Sequence, residues 1–532
     1  MPETIPASVV DFVLHQAGSD LYAAYCRNRL LELLESDAAN AASPETPLDQ
    51  AAIATLIENE IRQVLGDRVT IERRPHAAAG AFTLVVRPQA AESAGGTGLF
   101  FTTRLCVRPP TFMPRSTGER VFGRGAAGTM AQVAMILGHI KLLAEVGEKL
   151  GSAPRVPLAY HFVVGDDRDA DPPADADSSG WSAVVLESTS GIPHTTQPGA
   201  VTFKCTFQHP RALLIFPFVA QAISAEGDRL RAESPVGPLP ATAMRTNHGR
   251  LGCYGDYPDL ACDRLAIRVK VTANANPERI AMRMTEVLDA TVAEYVRHRI
   301  DLTKQTDPAT GEPKLRQHYA LAFEPARDTL QYRIDVFGHR ARAGAADADS
   351  AIAKAAFMFG ALLRIGRTFP KVRADVEFAD ELGPCETLVL EGVQTFGPPP
   401  SRRSQVRERL IAAVAAGVAQ YRQVTGEPVN ANAVRIEFGR ADHEPLQQET
   451  HSALWAAYNA ATEAASLPPP DGTGWIGLSP AAALAAHGHP AVIFGPGSTD
   501  RVDARTECVE VPEIQRCIAL TTLAALAFTP TS

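Results

Sequence analysis

Apolar residues fall in short blocks at 99–107, 156–164 and 182–186, and at helical spacing over 130–146. A glycine turn at 121–126 separates the first block from the helical stretch. Short continuous apolar runs bounded by turn residues read as buried strands, and the longer run with a 3.6-residue period reads as a helix. This order predicts a strand–helix–strand unit of a parallel sheet. The polar groups that follow such strands meet in one crevice, where open α/β sheets place their ligands. Here those groups are the acidic run Asp166, Asp167, Arg168 and Asp169 after the second strand, and Glu187 after the third.

The rest of the chain carries the same alternation. Residues 8–36 are amphipathic and helical, and a second helix runs over 46–65. Thr46 before Pro47 is its start signal, a capping hydroxyl followed by a proline in the first turn. Strands follow at 69–72 and 82–86, and a Gly/Ala/Ser loop spans 90–98. Beyond Glu187 the pattern predicts strand 201–207, helix 212–223, strand 265–272 and helix 277–299. Next come strand 330–338, helix 351–363, strands 374–378 and 388–391, helix 405–421 and strand 434–438. A short helix at 475–487 leads to a buried strand that ends at Gly495, Pro496 and Gly497, and a helix over 511–528 closes the chain.

Composition narrows the function classes. The 532 residues suffice for two or three domains, with 45% apolar and 21% charged residues. A net charge of −9 with no basic cluster argues against a nucleic-acid surface. No positive region followed by an apolar run opens the chain, and no apolar run reaches the length of a membrane span, so neither secretion nor a membrane is expected. Eight cysteines without a Cys-x-x-Cys pair predict reduced thiols in a cytoplasm rather than a disulfide frame or zinc knuckle. Cys106 is the one near the crevice, and it reads as a small strand-end residue. The acidic run 166–177 lacks the central glycine and closing glutamate of a calcium loop and reads as solvated.

The residues of the crevice resemble the dizinc aminoacylase family: the acetylornithine and succinyl-diaminopimelate deacylases, the carboxypeptidase G-type metallopeptidases and their relatives. The likeness rests on Gly123, Arg124 and Gly125 after the first strand, on the strand ends at 166–168 and Glu187, and on the Gly495–Gly497 turn. It implies a phosphorylase/hydrolase-like zinc-exopeptidase core, a mixed, mostly parallel α/β sheet with helices on both faces. It also implies an inserted α+β lid that carries a dimer contact. On this plan 1–199 and 369–532 form the core and 200–368 the lid, with an order nearest the arginine-utilisation, RocB-type branch.

The ligand positions depart from that family. Its His-x-Asp is Arg104, Leu105 and Cys106; its bridging Asp is Gly128 and the following Lys is Met130. Its Asp-Glu-Glu is Asp166, Asp167 and Arg168, and Asp503 stands where a zinc-binding His precedes Glu507. Glu187 alone matches a ligand in kind. An arginine is not deprotonated in a protein and so cannot ligate. No zinc cofactor is therefore expected. The guanidiniums of Arg104 and Arg168 would instead pair with Asp167, Glu187 and Asp503, a salt-bridge cluster in place of two metals. Arg342 stands where the lid offers a substrate-touching His. His161 reads as a buried imidazole, and His443 beside Asp442 as the best candidate for a relocated site.

These readings predict a degenerate hydrolase that binds a small amino-acid- or peptide-like ligand through Arg104, Arg168, Arg342, Glu187 and Asp503. Its partners would be a second copy through the lid, or an active homologue. The alternative is a hydrolase or acyl-transfer enzyme acting on amide bonds, with Asp167 as residual base and a metal-independent site.

Overall fold

The computed structural model describes residues 5–40, 50–76, 81–89, 97–105, 113–164, 180–234, 239, 242–246, 263–272, 276–297, 304–306, 313–325, 329–339, 349–368, 373–378, 388–397, 402–439, 442–447, 452–475, 477–502 and 507–529. The chain divides into two compact units, 1–198 with 445–532, and 199–444.

The first unit is built on a six-stranded mixed sheet. Its order is Val69–Pro75, Phe82–Pro88, Leu158–Val164, Leu99–Leu105, Ser182–Leu186 and Ala491–Phe494. The first two pairings are antiparallel and the last three parallel. Both faces are covered, so these strands are apolar on successive residues rather than on alternate ones. One face, with Phe101, Phe162, Val184 and Phe494, packs under the helices Thr129–Leu150 and Val511–Ala527. The other, with Phe100, Val185 and Ile493, packs against Trp181, Trp475 and Leu484. The mixed, mostly parallel α/β class expected from the sequence is the one observed. Helix Thr129–Leu150 is long and apolar enough to cross a membrane, yet 72% of its most apolar window is buried within the unit, as in a core helix.

Local corrections have local causes. The helix expected over 8–36 is two, Ala7–Ala17 and Asp20–Asn40. Ser19 breaks it: its hydroxyl donates to the Gln16 carbonyl (2.7 Å) and accepts from the Tyr22 amide (3.3 Å), which caps a new helix. The helix expected over 475–487 forms only at Ala481–Ala486. Thr46 and Pro47, its neighbour's start signal in the 46–65 helix, lie outside the described residues, where that helix is seen from Gln50.

The second unit holds two four-stranded antiparallel sheets. One orders Ala243–Thr246, Leu388–Phe396, Gly199–Phe207 and Val434–Phe438; the other orders Tyr319–Pro325, Leu330–Phe337, Arg264–Thr272 and Arg373–Phe378. Helices Ala212–Glu233, Pro277–Arg297, Ala351–Thr368 and Arg403–Thr425 share a single apolar core with them. The expected return to the first sheet at 369 does not occur. Arg373–Phe378 pairs with Arg264–Thr272, while Leu388–Phe396 and Val434–Phe438 flank Gly199–Phe207. An apolar strand pattern states that a strand is buried, not which sheet receives it.

Candidate functional site

The parallel strands of the first unit bring their carboxyl ends to one edge. Leu99–Leu105 pairs with Ser182–Leu186 from Leu99↔Ser182 to Thr102↔Val185. Carried two residues further, that register sets Arg104 level with Glu187. Strand alternation puts both on the sheet face that carries Phe100, Ala183 and Val185. Both are half-buried, and the Glu187 amide extends the ladder by donating to the Phe494 carbonyl at 3.3 Å. His161, level with Thr102, lies deeper on that face and stacks on Phe100 with ring centroids 5.1 Å apart. Burial, and then the nearby Arg87, Arg74 and His489, lower its pKa to about 3, so the ring is neutral at ordinary pH.

Three turns enclose this edge. In the glycine turn, Gly125 adopts φ +86° and its carbonyl accepts from the amides of Gly128 (3.2 Å) and Met130 (3.1 Å), which launches helix Thr129–Leu150. Glu507 is fully buried beside it. Its carboxylate accepts from the Ala127 amide at 3.1 Å, and its carbonyl accepts from the Gly123 amide at 3.1 Å. In the Gly495–Gly497 turn, a Cβ on Gly497 would lie 2.0 Å from the Ala127 carbonyl oxygen. Only glycine permits that approach, at φ +88° besides.

The loop after Glu187 joins the other two. Ser188 donates its hydroxyl to the Ala127 carbonyl (2.7 Å), and its own carbonyl accepts from Trp475 Nε1 (3.0 Å) and Thr499 Oγ1 (2.9 Å). Gln132 Nε2 donates to the Pro496 carbonyl (3.2 Å) and to Ser188 Oγ (3.4 Å). Ser188 is committed to these bonds and is a strut, not an activated nucleophile. The sequence reading passed over Ser188 and Gln132. Gln132 carried a signal, as a polar residue inside the apolar helical run.

Among the candidate residues, Arg104 and Glu187 are described, each two residues beyond the last pair of their neighbouring strands. Asp167, Arg168, Asp503, Arg342 and Cys106 lie outside the described residues, as does the run read against a calcium loop. Asp442 and His443 belong to the second unit and form no acid–base pair. The Asp442 carboxylate accepts from the Thr202 amide (2.7 Å) and hydroxyl (2.8 Å) and from Arg407 (2.9 and 2.5 Å). His443 Nδ1 meets the Glu444 carbonyl at 3.1 Å.

The described residues do not assemble a two-zinc centre. It needs about three protein donors per metal, from His, Cys or carboxylate side chains. Two of the positions that the sequence likeness assigns to ligands hold Arg104 and Gly128. A Cβ on Gly128 would face Val502 at 3.7 Å and Glu507 at 3.8 Å, so space exists there but no donor atom. Among the described residues no three His, Cys, Asp or Glu side chains converge as a metal site.

No family model matches the sequence, and no curated protein does. Solved structures do. Human carnosine dipeptidase 1 superposes with a TM-score of 0.52 at 11% identity, over 98% of this chain and 99% of that one. The dipeptidase Dug1p from Saccharomyces cerevisiae superposes with a TM-score of 0.53 at 9% identity, over 99% of this chain and all (100%) of that one. At such identities the likeness establishes the fold.

Proposed function

We propose that this chain binds a small amino-acid- or peptide-like ligand at the strand-end crevice of the first unit and does not perform two-zinc hydrolysis. The observation that supports this most is the register that sets Arg104 level with Glu187 on one face. An arginine and a glutamate level on one sheet face suit the carboxylate and ammonium of a zwitterion, because Arg matches a carboxylate bidentately. They suit a pair of dications poorly, since a fixed cation repels them. Arg168, Arg342 and Asp503 complete the proposed binding set, and the pairing of Arg104 and Arg168 with Asp167, Glu187 and Asp503 remains the proposed substitute for metal charge. A cytoplasmic setting and a second copy or an active homologue as partner belong to the same proposal.

The full-length likeness to two dipeptidases favours a second reading, amide hydrolysis with Asp167 as base at an altered site. One set of measurements separates the two. Protein purified without chelator is assayed for zinc, for hydrolysis of dipeptides and N-acyl amino acids, and for their binding by calorimetry. The first reading expects no stoichiometric zinc, no turnover, and binding that weakens about tenfold or more in Arg104→Gln, the loss of one charge-assisted bidentate contact. About two zincs per chain, with chelator-sensitive turnover, would overturn it. Chelator-resistant turnover abolished by Asp167→Asn selects the second reading.

A further inference from the structure

Helix Thr129–Leu150 buries two polar side chains among its apolar ones, Gln132 and His139. His139 uses both ring nitrogens, on the Thr522 and Tyr160 hydroxyls. Gln132 uses half of its amide. Nε2 donates to the Pro496 carbonyl (3.2 Å) and to Ser188 Oγ (3.4 Å), while Oε1 is buried with no partner. Sealing an acceptor away from water without a donor is costly, and a half-satisfied polar group is worse for stability than an apolar one. A methionine would fill the same space without that cost. Residues that break the local rules of packing in this way collect at functional sites.

What Gln132 holds is the backbone beside Glu187. The Glu187 amide ends the strand ladder with a long bond, 3.3 Å to the Phe494 carbonyl. Ser188 is the anchor beyond it, through its hydroxyl on Ala127 and its carbonyl on Trp475 and Thr499. Gln132 ties the helix to two turns at once, to one at Ser188 and to the other at Pro496. The packing there is tight. A Cβ on Gly495 would lie 2.6 Å from the Glu187 carbonyl oxygen and 3.3 Å from Gln132 Cγ.

We propose that Gln132 is a positioning residue for ligand binding, fixing Glu187 through Ser188 and Pro496 without touching the ligand. This rests on the reading of the crevice as the ligand site. An ammonium group bonds well only to a carboxylate held at the right distance and angle. Where the supporting backbone is loose, ordering it on binding offsets part of the affinity.

Alanylalanine is titrated calorimetrically into the full chain, as wild type, Gln132→Met, Ser188→Ala and the double variant, and each is melted. Gln132→Met is expected to weaken the dipeptide about tenfold. Its melting temperature should stay within about 4 °C of the wild type, because losing the donor and losing the idle acceptor act in opposite directions. Ser188→Ala tests the same tie from its other end, and the double variant should lose much less than the product of the two single losses. The Trp475 indole N–H resonance, which reports on the Ser188 carbonyl, should move in Gln132→Met and, in the wild type, on adding the dipeptide. Unchanged affinity in Gln132→Met, whatever its melting temperature, or losses that multiply in full, would overturn the inference and leave the crevice reading standing. No saturable binding of alanylalanine to the wild type would overturn the crevice reading itself, and this inference with it.

Discussion

Among the described residues each unit has one completely buried carboxylate, and the two are held by different means. In the second unit, Asp349 bonds to the equally buried Lys354 (2.6 Å) and to the Tyr295 hydroxyl (2.9 Å), with Arg316 3.7 Å away. Lys354 also donates to the Phe337 carbonyl. In the first unit, Glu507 takes the main-chain amide of Ala127, and its own backbone binds Gly123 at the start of the glycine turn. The first arrangement is a charge pair that closes a core. The second is a carboxylate used as a cap for a turn, at the end of a helix where the aligned peptide dipoles favour negative charge. A buried charge is therefore no guide to function by itself; what holds it, and where in the sheet it lies, decides its role.

Lys354→Met should break this comparison most sharply. It removes the nearer of the two cations from the buried Asp349, leaving Arg316 at 3.7 Å, and should cost about 3 kcal/mol in urea denaturation, with part recovered by adding Asp349→Asn. Gly497→Ala comes next, at about 3 kcal/mol, because it imposes both a positive φ and a 2.0 Å approach to the Ala127 carbonyl. If Gly497→Ala melts like the wild type, the interlocked turns of the crevice are looser than the structure shows.

Acid should test the first unit through its buried histidines. His139 bonds through Nδ1 to the Thr522 hydroxyl (2.9 Å) and through Nε2 to the Tyr160 hydroxyl (3.3 Å), and burial lowers its pKa to about 3, as for His161. Both rings are neutral when folded and take up protons near pH 6.5 when unfolded. Their contribution is complete above about pH 6.5 and is lost as pH falls toward about 3, at about 1.4 kcal/mol per pH unit per ring. Denaturation midpoints between pH 6.5 and 4 should fall with a slope that His139→Gln and His161→Leu each reduce. Glu507→Gln should be the mildest change, about 1 kcal/mol, since an amide oxygen can still accept from Ala127. A loss as large as that of Lys354→Met would mean that Glu507 is held by charge after all, and the comparison would fail.

Legibility followed the range of the interactions. The glycine turn was legible because Gly125 and Gly497 meet a backbone requirement that their own residue type advertises. Glu187 was legible as a carboxylate closing an apolar run. Ser19 carried a capping signal that the helical period of 8–36 ran across. The struts Ser188 and Gln132 were harder to read, because each acts on groups more than fifty positions away, Ser188 on Ala127 and Gln132 on Pro496.

The order of strands and helices, the parallel character of the first sheet and the absence of donors at positions 104 and 128 were set by the sequence alone, since propensity, period and side-chain chemistry are local properties. The tertiary structure decided which sheet took the strands between 373 and 438, and that Arg104 comes level with Glu187. Those outcomes depend on backbone pairing and packing between segments far apart in the chain, which no local pattern encodes.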